Sequence, residues 1–433
     1  MPTSLRGIAQ KARKDPNYKF GNLYGLLNEG NLRWCFSKLN RKASPGVDEV
    51  DYEMFSENLS ENIEQLTADL KGKRYHAKLV KRRYIPKGSG RRPLGIPVVA
   101  DKLVQTGAAE ILLAIYEEEF LPCSHGYRRG RGPQKAALEL SQTLQRGLYR
   151  WVVDADIKGF FDAIDHDWMM RMLAERISDQ SFLGLIRKWL KAGILEEDGS
   201  VIHPVTGTPQ GGVVSAVLAN IYLHYVLDLW FEKVVKVRCR GQVTMMRFAD
   251  DFVCCFQHED DALRFHTVLG KRLGKFNLTL SEEKTRLLRF SRFETETNNA
   301  FAFLGFDYRW RQSRAGKPVV CMSTSGKKYH AALQSMRGWI REIRGKKRIT
   351  AIFTALRQKL QGYWNYYGVC GNSKRLWSYL QEVRQIIHKW LNRRSQRKSY
   401  NWEGFNAMWK HFRIPNPRII AYWDRSLPLY EAN

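Results

Sequence analysis

Two rhythms of apolar residues divide this chain. In the first 75 residues, "NLYGLLNEGNLRWCFSKL" repeats its apolar positions at three- and four-residue steps, which predicts helices, and the Pro-Gly turn of "KASPGVDEVD" follows. From Ala77 the rhythm turns to that of strands. "AKLVKRRYIPKGSGRRPLGIPVV" predicts two strands flanking a Gly-rich basic loop, Lys87 to Arg92. Residues 101–150 read as helix, interrupted by the Gly-Arg turn "PCSHGYRRGRGP". "YRWVVDADIKGFFDAID" predicts a strand running into a helix start, with helix to about Leu195. The Gly-rich turn "GTPQGG" then opens a long apolar helix. "MMRFADDFVCCF" predicts a hairpin of two buried strands, and "LSEEKTRLLRF" and "FAFLGFDYRW" predict further strands. Beyond about residue 310 the pattern is one of amphipathic helices only. In "KRLWSYLQEVRQIIHKWLNRRSQRK" a stripe of Leu376, Trp377, Leu380, Val383, Ile387, Trp390 and Leu391 leaves the basic residues mostly to one side. The chain divides on this basis into 1–75, 76–310 and 311–433.

Charge changes the picture. The 433 residues carry 71 Lys and Arg against 43 Asp and Glu, a net +28, and 44% of them are hydrophobic, ample for packed cores. The surplus is not spread evenly. Residues 301–433 hold 26 Lys and Arg against 6 Asp and Glu, together with eight of the thirteen Trp. Clustered cations interleaved with flat aromatics suit a phosphate backbone and bases to stack on, so nucleic acid is the expected partner. No long uncharged apolar run and no apolar N-terminal leader stand in the sequence, which predicts a cytoplasmic protein away from membranes. The seven cysteines form no CxxC pair and no Cys/His cluster, which predicts reduced thiols and no zinc site.

The candidate chemistry lies in carboxylates. Asp250 and Asp251 stand at a predicted hairpin tip between apolar runs, where close negative charges call for compensation, most strongly by a divalent cation. Alternation in "RWVVDADIKGFFD" sets Asp154 and Asp156 on one strand face, opposite Val153 and Ala155. Three clustered carboxylates could hold two Mg²⁺ ions, with Mn²⁺ as a substitute, for phosphoryl transfer. The backbone of "GTPQGG" can approach a flat or charged ligand, and its Gln210 can donate hydrogen bonds.

The ordered blocks "YIPKGSGRRPLGIP", "DADIKGFFDAIDH", "GTPQGGVVSAVLANIYLH", "RFADDF", "LSEEKT" and "FLGF" resemble the reverse transcriptase of group II intron-encoded proteins over residues 40–310. The basic region that follows resembles their thumb and maturase (X) region. The resemblance implies an α+β right-hand polymerase, with a mostly antiparallel palm sheet, fingers, and an all-helical thumb and X domain. It implies metal ligands at Asp156, Ile157, Asp250 and Asp251, with Asp154 left as a strand-end hydrogen-bonding residue. It implies nucleotide contacts at Lys87 and Arg92 for the triphosphate, Gln210 over the incoming nucleotide, Phe161 against a ribose 2′-hydroxyl, and Lys284 nearby. Phe160 reads as core. Phe248 departs from the family, since the usual Tyr-Ala-Asp-Asp box has tyrosine there.

Nucleic-acid contacts are expected from Arg128, Arg129 and Arg131 of the Gly-Arg turn, and from Lys374, Arg375, Arg393 and Arg394. His166 reads as a helix-entry cap and His224 as a satisfied core residue. The implied partners are group II intron RNA, an RNA template with its DNA primer, a DNA target and dNTPs, in a bacterial, nucleoid-associated monomer or dimer. A Cys/His-rich endonuclease is not expected. Two other readings stay open on the sequence: a related reverse transcriptase recruited to host DNA repair or phage defence, and an RNA-binding splicing cofactor with a vestigial polymerase site.

Overall fold

The computed structural model describes residues 2–87, 90–294, 299–394 and 400–423, apart from the side chain of Lys87. The chain folds into two compact units, each assembled from three stretches of sequence. The first comprises 1–129, 156–238 and 265–284; the second comprises 130–155, 239–264 and 285–433.

The first unit is organised around the helix Val99–Tyr116, whose residues are buried on nearly every side, as its almost unbroken apolar sequence requires. The helices Thr3–Lys14, Glu29–Phe36 and Val213–Leu223 pack against it, so the N-terminal helices belong to this core. The helical stretch Val213–Arg238 is long and apolar enough to cross a membrane, although it is not uncharged, carrying Asp228, Glu232, Lys233, Lys236 and Arg238. Of its apolar window, 72% is buried inside the protein, which is how a core helix meets the same criterion. The strands Val80–Lys87 and Gly90–Ile96 form the expected antiparallel hairpin, with Lys87 opposite Gly90. Ile194–Leu195 adds to it in parallel and is paired in turn with Val201–Ile202.

A buried polar network pins the entry to that hairpin. Tyr75 donates to Asp101 Oδ1 at 2.5 Å, Trp189 Nε1 donates to the Tyr75 hydroxyl at 2.9 Å, and the Lys78 amide donates to Asp101 Oδ2 at 2.9 Å. Burial pushes the Asp101 carboxyl up to about 6, against the pull of these donors.

The second unit has two cores. The antiparallel strands Ala300–Phe303, Phe306–Gln312 and Pro318–Thr324 turn Phe301, Phe306, Tyr308, Trp310, Val320 and Met322 toward an apolar cluster. The hairpin Val243–Phe248 and Asp251–Phe256 contributes Met246, Val253 and Cys255 to the same cluster. The helices Gly326–Ile343, Ile349–Tyr367, Ser373–Leu391 and Trp402–His411 enclose the other core around the fully buried Trp364. The expected all-helical character after residue 310 fails at Pro318–Thr324, which is a strand. Its buried positions alternate, at Val320, Met322 and Thr324, and a β-branched two-residue rhythm favours strand over helix. The stripe on Ser373–Leu391 is real except at Trp377, which is 44% exposed. Next to Leu376, it stands about 100° round the helix from the buried line, while Tyr379 and Ile386 are buried instead.

Because folding raises the Asp101 carboxyl above its ordinary value of 3.8, the folded chain holds a proton that the unfolded chain releases. That stability, on the order of 3 kcal/mol, is present below pH 4 and is lost as pH rises through 6. Asp101→Asn should flatten the pH dependence of unfolding free energy between pH 4 and 6, read by urea titration. An unchanged slope would rule out Asp101 as its source.

Candidate active site

The hairpin register pairs Phe248 with Asp251, so Ala249 and Asp250 alone make the turn. Ala249 takes φ 57°, a left-handed conformation that costs a residue with a Cβ roughly 1–2 kcal/mol. The strand supplies a compensating contact from Arg247, which is fully buried and donates from Nη1 to the Ala249 carbonyl at 3.0 Å. Asp250 and Asp251 are half-buried at this tip. The Asp251 charge is felt at the Tyr366 phenol, which is pushed up by burial first and by that charge second. Phe248 is partly buried against the cluster that holds Met246 and Tyr308, so its ring is a packing group here. Arg247 was not singled out in the sequence. Its only signal is a cation interrupting an apolar run.

The strand Trp151–Lys158 buries Val153, Ala155 and Ile157 and leaves Asp154 and Asp156 half-buried, as the alternation predicts. In the first unit, Ile157 pairs with Leu280, and the Asp156 carbonyl accepts the Ser281 amide at 2.8 Å. The turn that follows brings Lys284 Nζ to Asp156 Oδ2 at 2.7 Å. Ile157 has its side chain in the core and only its main chain to offer.

The "GTPQGG" loop is fixed from several sides within the first unit. The Gly207 amide donates to the Ile164 carbonyl at 2.7 Å, and the Thr208 amide to the Phe161 carbonyl at 2.8 Å. The Gly95 amide donates to the Gln210 carbonyl at 2.6 Å. Gly207 at φ 87° and Gly211 at φ 114° need glycine twice over: a Cβ would stand 2.9 Å from the Asp162 backbone at the first and 2.5 Å from the Gly95 carbonyl at the second. The loop thereby gathers Phe161, Gln210 and the strand Gly90–Ile96 that carries the exposed Arg92. Phe160 is core, and Phe161 is half-buried. The Lys87 side chain lies outside the described residues.

His166 holds the same loop, its Nε2 lying 2.7 Å from the Gly207 carbonyl. The helix cap is Asp165, whose carboxylate accepts the Trp168 amide at 2.8 Å, which corrects the capping role expected of His166. His224 is buried in the apolar helix, edge-on to Phe120 and Tyr225.

Of the cations expected to meet nucleic acid, Arg128 is corrected. It is 9% exposed and donates to Glu117, Leu121 and Ser124 at 2.9–3.0 Å over the Phe120 ring, so it holds its own loop together. Arg129 pairs with Glu110 while staying half exposed. Arg131 lines a cavity of about 550 Å³. Lys374 and Arg375 open the helix Ser373–Leu391. Arg393 and Arg394 are exposed at its far end, with Arg393 over the Trp390 ring.

The three candidate metal ligands are divided between the units, Asp156 in the first and Asp250 and Asp251 in the second. Among the described residues no three His, Cys, Asp or Glu side chains form a metal-holding group. As donors, however, all three offer hard carboxylate oxygens, which fit Mg²⁺ and Mn²⁺ and not a soft metal.

Comparison with known proteins gives these residues their context. Residues 85–308 match the reverse transcriptase (RNA-dependent DNA polymerase) family, and residues 330–409 match the group II intron maturase-specific domain. The chain is 30% identical to the group II intron-encoded protein LtrA of Lactococcus lactis, over 87% of this chain and 76% of that one. It is also 30% identical to protein YkfC of Escherichia coli, over 73% and 90%. A telomerase structure from Candida albicans, in complex with a fragment of telomeric RNA, is a fainter likeness. Its TM-score is 0.45 at 12% identity, covering 84% of this chain and 68% of that one. The reverse transcriptase blocks in their order, followed by the maturase-specific domain, place this chain in the family of group II intron-encoded reverse transcriptases and maturases.

Proposed function

We propose that this protein copies RNA into DNA at a site whose metal ligands are Asp156, Asp250 and Asp251, with the main chain of Ile157, and that its C-terminal region binds the intron RNA from which it is expressed. The reverse transcriptase match over residues 85–308 carries the polymerase half, because both aspartates of "FADDF" lie inside it, at the tip of a hairpin whose turn a buried arginine holds in place. Two bound Mg²⁺ ions would activate the primer 3′-hydroxyl and stabilise the departing pyrophosphate.

The chain's own residues set the geometry around that chemistry. Lys87 and Arg92, a point charge and a fork on one hairpin, bind the triphosphate. Gln210 covers the incoming nucleotide from a loop that its glycines and His166 immobilise. Phe161 fills the space a ribose 2′-hydroxyl would need. Lys284 balances the charge of Asp156 and keeps it oriented.

Residues 76–310 serve as fingers and palm, and 311–433 as thumb and maturase region. Arg129 and Arg131 meet the template, while Lys374, Arg375, Arg393 and Arg394 meet RNA. The maturase-specific match over 330–409 favours intron splicing and insertion at a DNA target over a recruited host role.

Changing Asp250 and Asp251 together to Asn should lower dNTP incorporation on an RNA template by at least about a thousandfold and leave RNA affinity within about twofold; retained incorporation would remove the aspartates from catalysis. Phe161→Ala should relax the sugar preference by roughly ten- to a hundredfold, read as rNTP against dNTP incorporation. A preference that does not move would assign Phe161 to packing alone.

A further inference from the structure

The outer face of the three-stranded sheet in the second unit holds a cavity of about 470 Å³. Alternation builds it. Phe306, Tyr308 and Trp310 point into the aromatic core, which leaves Asp307, Arg309 and Arg311 on the opposite face. The register sets Arg309 across from Cys321 and Asp307 across from Ser323. Two long helices begin at this cavity, Gly326–Ile343 and Ser373–Leu391, bringing Gly326, Lys374 and Arg375 to its wall.

A helix start carries partial positive charge and ordinarily attracts acidic residues. Neither helix has an acidic residue in its first turn, and Ser373–Leu391 places Lys374 and Arg375 there. Among the described residues Asp307 is the sole carboxylate in the lining, and its Oδ2 already accepts the Gly326 amide at 3.2 Å. Four cations therefore share the cavity with one engaged acid.

Two of the cations have unmet donors. Nε of Arg309 and Nε of Arg375 are buried and find no hydrogen-bond partner among the described residues. Buried donors in a folded protein are nearly always satisfied, so both guanidinium groups keep capacity for an acceptor beyond the described residues, ordered water or a bound oxyanion. The guanidinium of Arg375 is held over the Tyr329 ring at 3.9 Å. The frame is rigid as well. Asn372, fully buried, accepts the Thr324 amide at 2.9 Å and donates to Thr324 Oγ1 and the Tyr367 carbonyl at 2.8 Å each, locking the strand end to the helix start.

We infer that this cavity is a preformed phosphate site for a nucleic-acid backbone phosphodiester, whose oxygens accept from Arg309, Arg375 and Lys374 while the two helix starts stabilise the charge. It rests on the proposed function of the chain and adds Arg309 and Arg311, which the sequence did not single out, to its nucleic-acid contacts.

The test is binding of the full chain to an RNA hairpin and to a DNA duplex, by fluorescence anisotropy across a KCl series. Arg309→Gln should make the slope of log affinity against log salt shallower by about one and weaken binding about tenfold at low salt; Arg309→Lys should keep the slope. Lys374→Gln, at an exposed position, repeats the test should Arg309→Gln unfold. A change with the hairpin assigns the phosphate to RNA, and a change confined to the duplex assigns it to DNA. Unchanged slopes with both, in variants that melt like the parent, overturn the site. A parent protein that binds neither nucleic acid with steep salt dependence overturns the proposed function instead.

Discussion

Two carboxylates have to emerge from a core at the tip of a hairpin, Asp250 on a turn only two residues long and Asp251 at the start of the returning strand. That constraint shapes the hairpin. The strands Val243–Phe248 and Asp251–Phe256 are packed with apolar side chains and stay paired up to Phe248 and Asp251, which leaves two residues for the turn. Ala249 accepts a left-handed backbone, and Arg247 stabilises it by donating to its carbonyl from a fully buried position. A buried guanidinium is tolerable only when its donors are met, so the arginine and the turn hold each other in place.

The loop of Gly207 to Gly212 obeys similar logic with different means. It is fixed by main-chain hydrogen bonds, by two glycines pressed against neighbouring backbone and by the ring of His166. Rigidity at both places suits a polymerase, in which reacting groups must be held to fractions of an ångström. Elsewhere the cations divide by task. Arg128 is a structural residue with side-chain and main-chain partners, whereas Arg309 and Arg375 keep buried donors that no described residue meets.

Much of this was legible in the sequence. The hairpin around Asp250 and Asp251 and the alternation of Asp154 and Asp156 follow from period and pattern, which are local properties, whereas the distinction between Phe160 and Phe161 came from the family resemblance. The misses share one cause. Arg247, His166 and Arg309 owe their roles to partners distant in sequence or to the direction in which a side chain meets its neighbours, and neither leaves a periodic trace. Pro318–Thr324 was missed because it borders the helical region, and seven residues of alternation are outweighed by the longer helical rhythm that follows. Arg128 looked like a free cation because its acceptors are mostly main-chain carbonyls, which no sequence pattern marks.

The central claim is that Asp156, Asp250 and Asp251 together hold the catalytic ions. Iron-directed backbone cleavage tests it directly, since Fe²⁺ takes Mg²⁺ sites in carboxylate clusters and, with peroxide as oxidant and ascorbate to reduce the Fe³⁺ formed, releases hydroxyl radicals that cut the chain nearest to where it binds. Cuts should be confined to the neighbourhoods of Asp156 and of Asp250 and Asp251, suppressed by excess Mg²⁺ and absent once both Asp250 and Asp251 are changed to Asn. Cleavage at the hairpin without cleavage near Asp156, or cuts that survive the double substitution, would contradict it.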